Sequence, residues 1–129
     1  MRLQPATPGV RAGRLAKARQ FGDAAADQLS LADDPRDVAD AYVTLAVHAG
    51  IAAADAICCA RLGHYSRSES HHEAIELLKS ADPTMARHLH TLLSLKTQAA
   101  YASGSVREGD VTRAQRAMEA LLRSAGTLS

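Results

Sequence analysis

The densest group of side chains that could do chemistry is the segment 67–72, which reads Arg67-Ser68-Glu69-Ser70-His71-His72. Serine hydroxyls and free backbone N–H groups at the start of a helix bind phosphate. A histidine that titrates near neutral pH can move a proton while an arginine stabilises developing charge. The segment therefore predicts a phosphate site or an acid–base site acting on RNA. In the plainer alternative, Ser70 caps a helix, His71 lies on its apolar face and His72 is solvated.

Other candidates lie at helical spacing elsewhere in the chain. His48 and Asp55 are seven residues apart, two turns along one helix face, and could form a proton-transfer pair or a hydrogen-bonded polar seam in the core. Lys96 falls within the apolar stripe of its own helix. Either its stem snorkels along apolar surface, or its charge points into a groove and needs an anionic partner. We group these three with Ser68 and Ser70 as candidate ligand-binding residues.

The sequence predicts no metal site and no cofactor. His88 and His90 are two residues apart, so on a helix they face different ways. No zinc-protease, P-loop, serine-hydrolase or CxxC motif is present. Cys58 and Cys59 are the only cysteines, and sequential side chains on a helix diverge, so a disulfide between them is not expected. This cysteine usage fits a reducing cytoplasm.

The elements that must position these residues are predicted to be helices. Apolar residues make up 47% of the 129 residues while aromatics reach only 3%, a balance typical of helices rather than β-sandwiches. The net charge of +1 does not indicate a nucleic-acid or membrane partner. The longest apolar run, 51–60, contains Asp55 and is too short to span a bilayer, so we expect no membrane association.

Apolar periodicity and start and stop signals predict an all-α fold, an up-and-down antiparallel bundle of four main helices plus one short helix. The bundle is expected over residues 11–126, after a flexible N-terminal leader over 1–10. The predicted helices cover about 11–31, 35–62, 71–80, 83–102 and 108–124. Asp-Pro pairs at 34–35 and 82–83 start two of them, Ser70 with Glu73 has capping-box spacing, and Gly63 ends the long helix. Because the second helix is lined with alanine, we expect it to be the central, most buried one.

Charge is distributed unevenly along the amino-terminal third. Positions 1–20 carry five basic residues and no acid, namely Arg2, Arg11, Arg14, Lys17 and Arg19. The next twenty carry six aspartates against one arginine, namely Asp23, Asp27, Asp33, Asp34, Asp37 and Asp40 against Arg36. The basic stretch could meet phosphate, but a solvated helix face explains it as well.

Three segments together resemble the HEPN (higher eukaryotes and prokaryotes nucleotide-binding) family. Residues 41–55, AYVTLAVHAGIAAAD, are similar to its second helix. Residues 70–74, SHHEA, resemble the start of its next helix, and residues 95–101, LKTQAAY, resemble its "LRxxADY" segment. The resemblance covers roughly residues 11–124. It implies a helical bundle, a homodimer, a nucleotidyltransferase or a nucleotide or RNA as partner, and a ligand-binding role for Lys96 and Tyr101.

The resemblance leaves two activities open. Many family members are metal-independent ribonucleases, some of them toxins, with an Arg-x4–6-His motif, which Arg67 and His72 match in spacing. That hypothesis makes Arg67, His71 and His72 catalytic. However, Lys96 and Ala100 stand where the "LRxxADY" segment has arginine and aspartate. We therefore favour a non-catalytic binding or interaction module over a ribonuclease, with an unrelated structural or regulatory bundle as a third hypothesis.

Overall fold

A computed structural model describes residues 2–67 and 69–128. Along the chain the elements are β1 (Leu3–Pro5), α1 (Pro8–Leu31), a 3-10 turn (Pro35–Val38), α2 (Ala39–Leu62), β2 (His64–Ser66), α3 (His71–Ala81), α4 (Pro83–Ala100) and α5 (Glu108–Thr127). The predicted all-α class is confirmed: within the described residues, four helices are long and one, α3, is short. The structure adds a small two-stranded sheet that the sequence did not indicate.

Most helix ends lie where their capping residues predict. The Asp82 carboxylate accepts the backbone N–H groups of Thr84 and Met85 at 3.1 and 3.2 Å, and α4 starts at the following proline. At the end of α2, Gly63 adopts φ 76°, a left-handed conformation that suits glycine, and its N–H donates to the carbonyl of Cys59. Local side-chain chemistry therefore fixes these boundaries.

The start of the long helix differs from the prediction. Asp34 does accept the backbone N–H of Arg36, but the turn that follows is a 3-10 turn. Val38 then leaves helical geometry, with φ −118° and ψ 10°, so α2 begins only at Ala39. An Asp-Pro pair therefore starts one helical turn here, but the sequence signal does not determine whether that turn continues directly into the α-helix.

The prediction of a flexible leader over residues 1–10 is corrected. Residues 3–5 form β1, which pairs antiparallel with β2, Gln4 standing opposite Tyr65. Two further backbone bonds extend the pairing, from Ala6 N–H to the Gly63 carbonyl and from Arg67 N–H to the Arg2 carbonyl, each at 2.9 Å. α1 then starts at Pro8, where Thr7 caps it. The partner strand lies some 60 residues away, so no local signal announces it.

The alanine-rich helix α2 is the most buried element, as predicted. It packs against α1, α3, α4 and α5. Alanines line most of its length, and the bulky side chains Tyr42, Val43, Val47 and Ile57 are fully buried between them. Small side chains let neighbouring helices approach from several directions, because little volume separates the backbones.

The segment Pro35–Leu62 is also long and apolar enough to cross a membrane by length and composition, in contrast to the expectation from the 51–60 run alone. In this protein 67% of its most apolar window is buried inside the fold. The core helix of a water-soluble domain meets the same criteria. Its hydropathy is therefore accounted for by its central position.

Gly50 provides a direct test of this packing. A Cβ at Gly50 would overlap the Leu92 side chain and lie 3.3 Å from Leu121 Cδ1. We expect Gly50→Ala to destabilise the protein by about 1–3 kcal/mol, because the fully buried Leu92 side chain must shift within a packed core to admit a methyl group. The free energy of unfolding from urea denaturation measures this.

The matched control is Gly13→Ala on α1, where nothing lies within 4 Å of the added Cβ. Alanine is the better helix former, so this variant should gain up to about 1 kcal/mol. If Gly50→Ala is as stable as Gly13→Ala, the close packing around α2 is wrong.

Candidate functional site

The start of α3 is built as the sequence predicts. Ser70 has an extended backbone, and its Oγ accepts the N–H of Glu73 at 3.3 Å. α3 begins at His71, directly after this cap. Ser68, a predicted ligand-binding residue, lies outside the described residues. The Ser70 hydroxyl therefore caps the amino-terminal end of α3, as the plainer interpretation of this segment predicts.

The structure brings Lys96 to this helix start. Its ammonium Nζ lies 3.5 Å from Nε2 of His71, a long contact that joins α4 to the first residue of α3. The Lys96 side chain is half-buried and His71 is exposed. Among the described residues, no carboxylate forms an ion pair with Lys96. We call Arg67, His71 and Lys96 together the basic corner, since Arg67 lies on the segment that leads into α3.

Arg67 and His72, the proposed ribonuclease pair, are both exposed. The backbone N–H of Arg67 extends the small sheet, which fixes where its side chain leaves the fold. No hydrogen bond joins the Arg67 and His72 side chains in the part of the chain that the structure describes. The two residues share a surface region at the start of α3, but the monomer does not hold them in one catalytic geometry.

Tyr101 ends α4 and is 76% exposed. Its backbone N–H donates to the carbonyl of Thr97. The aromatic face is therefore available to solvent beyond the carboxyl end of α4.

His48 and Asp55 do not form the predicted pair. Seven residues separate them by about 10 Å along the helix axis, beyond direct contact. The exposed His48 ring instead packs against Phe21 of α1, with 5.5 Å between ring centroids. Asp55 forms an ion pair with Arg14, whose Nη2 lies 2.7 Å from Oδ2. The charge of Asp55 on α2 is thus compensated by Arg14 on α1 and not by His48 on its own helix.

The Arg14–Asp55 ion pair is mostly buried, and burial changes the pKa of groups in and beside it. The side chains of Arg14 and Asp55 are 26% and 19% exposed. Burial raises the pKa of Asp55 to about 6, against the lowering effect of Arg14. Burial, and then the charge of Asp55, raises the pKa of the Cys58 thiol to about 12, which makes that thiol a poor nucleophile. Arg14 Nε is buried and has no hydrogen-bond partner among the residues that the structure describes.

The space beside this ion pair is too small for a substrate. A cavity of about 20 Å³ lies between α2, α3, α4 and β2, with Asp55, Cys58 and Ser66 in its lining. A volume of that size accommodates about one water molecule. The Arg14–Asp55 pair is therefore a structural ion pair inside the fold and has no room to hold an organic ligand.

A larger groove, of about 570 Å³, lies at another part of the molecule, and sequence reasoning missed it. Its walls are the 3-10 turn and the start of α5, with Pro35, Arg36, Val106 and Glu108 among its lining residues. None of the residues predicted from the sequence lines it. The only prior signal was the cluster of aspartates before α2. Among the described residues, no group of three or more His, Cys, Asp or Glu side chains could hold a metal ion.

The pKa of Asp55 predicts a pH-dependent stability. Because that pKa is raised above 3.8, the stabilising contribution is complete below about pH 4 and is lost as the pH rises through about 6. Asp55→Asn removes this titration. The free energy of unfolding of the variant, relative to the wild type, should therefore increase by about 2 kcal/mol between pH 4 and pH 7.

Chemical denaturation at several pH values provides the measurement. Asp23→Asn, at an exposed position of α1, is the control for loss of one carboxylate. A difference between Asp55→Asn and wild type that stays constant from pH 4 to pH 7 would contradict the assignment.

Comparison with known proteins does not assign the chain to a family. No protein-family model matches the chain, and no curated protein matches it. The likeness to HEPN proteins therefore rests on the order and spacing of its three segments. A function has to be proposed from the residues that the fold brings together, of which the basic corner is the most distinctive set.

Proposed function

We propose that the chain is a HEPN-like helical binding module. In this proposal its helices run up and down, antiparallel, around α2, and two copies form a homodimer. The module acts with a nucleotidyltransferase or another nucleotide-related partner in the cytoplasm. The observation that carries the proposal is the contact between Lys96 and His71 at the exposed start of α3.

The basic corner has the properties of a phosphate contact site. The Lys96 ammonium donates hydrogen bonds, His71 adds a second donor when protonated, and the amino-terminal end of α3 carries partial positive charge. Glu69 and Glu73 lie on the same segment. The corner therefore attracts a phosphate group through positioned donors and not through a large net charge. Such contacts suit a nucleotide or the RNA backbone.

The shape of this region favours binding over catalysis. Arg67, His71 and His72 are exposed. The enclosed cavity beside Asp55 has a volume of only about 20 Å³. Enzymes surround the reacting atoms with groups held in fixed positions, because preorganised donors lower the barrier far more than mobile ones. An open corner suits recognition of a surface or a flexible chain.

A metal-independent, toxin-like ribonuclease is the second candidate function. It is favoured by the spacing of Arg67 and His72 and by the exposure of both side chains, which a second subunit could bring together. An unrelated structural or regulatory bundle is the third.

Binding to phosphate-containing ligands tests the module directly. We expect Lys96→Gln to weaken binding of a short fluorescein-labelled RNA, or of a labelled adenine nucleotide, by about tenfold, because one charged donor is lost. Fluorescence anisotropy measures the dissociation constant. Lys79→Gln is the matched control, since Lys79 is an exposed lysine in the last turn of α3. Equal affinity of wild type and Lys96→Gln for both ligands would contradict the proposal.

An RNA-cleavage assay in EDTA separates the two candidate functions. The module hypothesis predicts no cleavage by wild-type protein at micromolar concentration. Cleavage that both Arg67→Ala and His72→Ala abolish, while His90→Ala keeps it, would replace the module with the ribonuclease. Cleavage that survives both substitutions would exclude these residues as the catalytic pair.

A further inference from the structure

The groove of about 570 Å³ lies where the 3-10 turn leads into α2 and the loop after α4 leads into α5. Hydrogen bonds hold these segments in place. The Asp40 carboxylate on α2 accepts the backbone N–H of Val106 at 2.9 Å, and the Gln98 side chain on α4 donates to the carbonyl of Gly104 at 2.7 Å. The groove is therefore a fixed feature of the fold. Its volume falls in the range of sites that take drug-sized ligands, roughly 300–1,000 Å³.

The groove has an apolar lining, and the chain segments that lead into it carry exposed apolar side chains. Its apolar lining residues are Pro35, Ala39, Val106 and Val111. Within the described residues, three large hydrophobic side chains are exposed, and two of them belong to these segments. Leu31, 82% exposed, ends α1 four residues before Pro35, and Tyr101, 76% exposed, follows α4 four residues before Ser105. Exposed apolar surface rimmed by polar residues is typical of an interaction site.

The rim of the groove carries an excess of acidic residues. Residues 33–40 and 105–108 contain five acids and two arginines. The Asp34 and Arg36 side chains form an ion pair, with 2.9 Å between Oδ2 and Nη2, so their charges compensate each other. Three further acids are exposed and form no ion pair within the part of the chain that the structure describes: Asp33, Asp37 and Glu108. The apolar groove indicates that a ligand docks here, and this charge selects a cationic one.

We infer that the groove docks a short segment of a partner protein, in which an apolar side chain enters the groove and neighbouring lysine or arginine side chains face its acidic rim. This inference rests on the interaction module in the proposed function and names the surface for its protein partner. None of Arg67, His71 and Lys96 lines the groove. Phosphate contacts at the basic corner and protein contacts at the groove therefore use different surfaces.

The open shape of the groove favours a protein segment over a small molecule. A small molecule is normally enclosed over most of its surface, whereas Pro35, Arg36, Ser105 and Glu108 of the groove lining are all exposed. An extended chain can fill the groove and continue along the surface beside it. The apolar anchor then supplies most of the affinity, and the charged rim fixes the orientation.

Selection from a library of short random peptides tests the inference. The library is displayed on phage and selected on the immobilised full chain. We expect the enriched peptides to combine an apolar residue with a net positive charge. Synthetic, fluorescein-labelled copies should bind in solution with a dissociation constant on the order of 10 µM, as measured by fluorescence anisotropy.

Two variants locate the binding. Glu108→Lys reverses one charge of the rim and should weaken binding of the enriched peptides by about tenfold. Ser105→Trp adds an indole at the groove lining and should weaken it by at least about tenfold, because the apolar anchor loses its space.

Each variant has a matched control. Glu119→Lys changes an exposed glutamate farther along α5, and Ser103→Trp changes an exposed serine of the same loop; neither residue lines the groove. Both controls should bind the peptides within about twofold of the wild type. Circular dichroism checks that all four variants are folded.

The outcomes separate this inference from the proposal on which it rests. Enrichment of no peptide, or of peptides that bind Glu108→Lys and Ser105→Trp as tightly as the wild type, would overturn the docking groove. Self-association of the wild type that Ser105→Trp abolishes would assign the groove to a second copy and also overturn the inference. Saturable binding of phenethylamine, with no peptide enriched, would do the same in favour of a small organic cation.

Binding of RNA or nucleotide that Lys96→Gln weakens would still support the module in each of these cases. Conversely, groove-dependent peptide binding by a chain that binds neither RNA nor nucleotide would support the docking groove and contradict the phosphate-binding role of the basic corner.

Discussion

The close approach of the helices to α2 is the constraint on which the rest of the structure depends. At Gly50 the side chains of Leu92 and Leu121 occupy the volume that a Cβ would need, and at Gly22 the side chain of Leu122 does the same. Because these two glycines have no side chain, leucine side chains of α4 and α5 pack directly on the backbone of α2 at Gly50, and a leucine of α5 packs on the backbone of α1 at Gly22. A hydrophobic core made largely from alanine gains little area from each residue, so its stability depends on packing without voids.

This arrangement determines where polar chemistry can occur. Asp55 of α2 is partly buried in the fold, and Arg14 of α1 reaches it and forms an ion pair with it. The ion pair is incompletely solvated, which accounts for the raised pKa of Asp55. Groups that could contact a ligand consequently lie at the ends and outer faces of the helices. The contact between Lys96 and His71 at the start of α3 is one such place.

The sequence predicts the parts of this fold that local chemistry determines. The class, the five helices and most of their ends follow from periodicity and from caps such as Asp82, Ser70 and Gly63. The proximity of Lys96 to His71 was not predicted, although each was singled out. It depends on the angle at which α3 folds back on α4, and no pattern within either helix encodes that angle.

Pairings between distant residues were the part that could not be predicted. Asp55 has several arginines available in the sequence, and spacing along α2 suggested His48 as its partner. Only the packing of α1 on α2 selects Arg14. The two short strands are a similar case, because each has only three residues, and β1 ends in a proline, so neither carries a strand signal.

The small sheet has a consequence for the basic corner. By joining residues 2–6 to residues 63–67, it closes a loop of about 60 residues that contains α1 and α2, and such a closure restricts both ends at once. The strands hold the two ends of this loop together. The backbone N–H of Arg67 donates to the carbonyl of Arg2, and this hydrogen bond also restrains the segment that leads into α3. Trimming the first few residues would therefore loosen a surface more than sixty positions away in sequence, so the amino terminus belongs functionally to the start of α3.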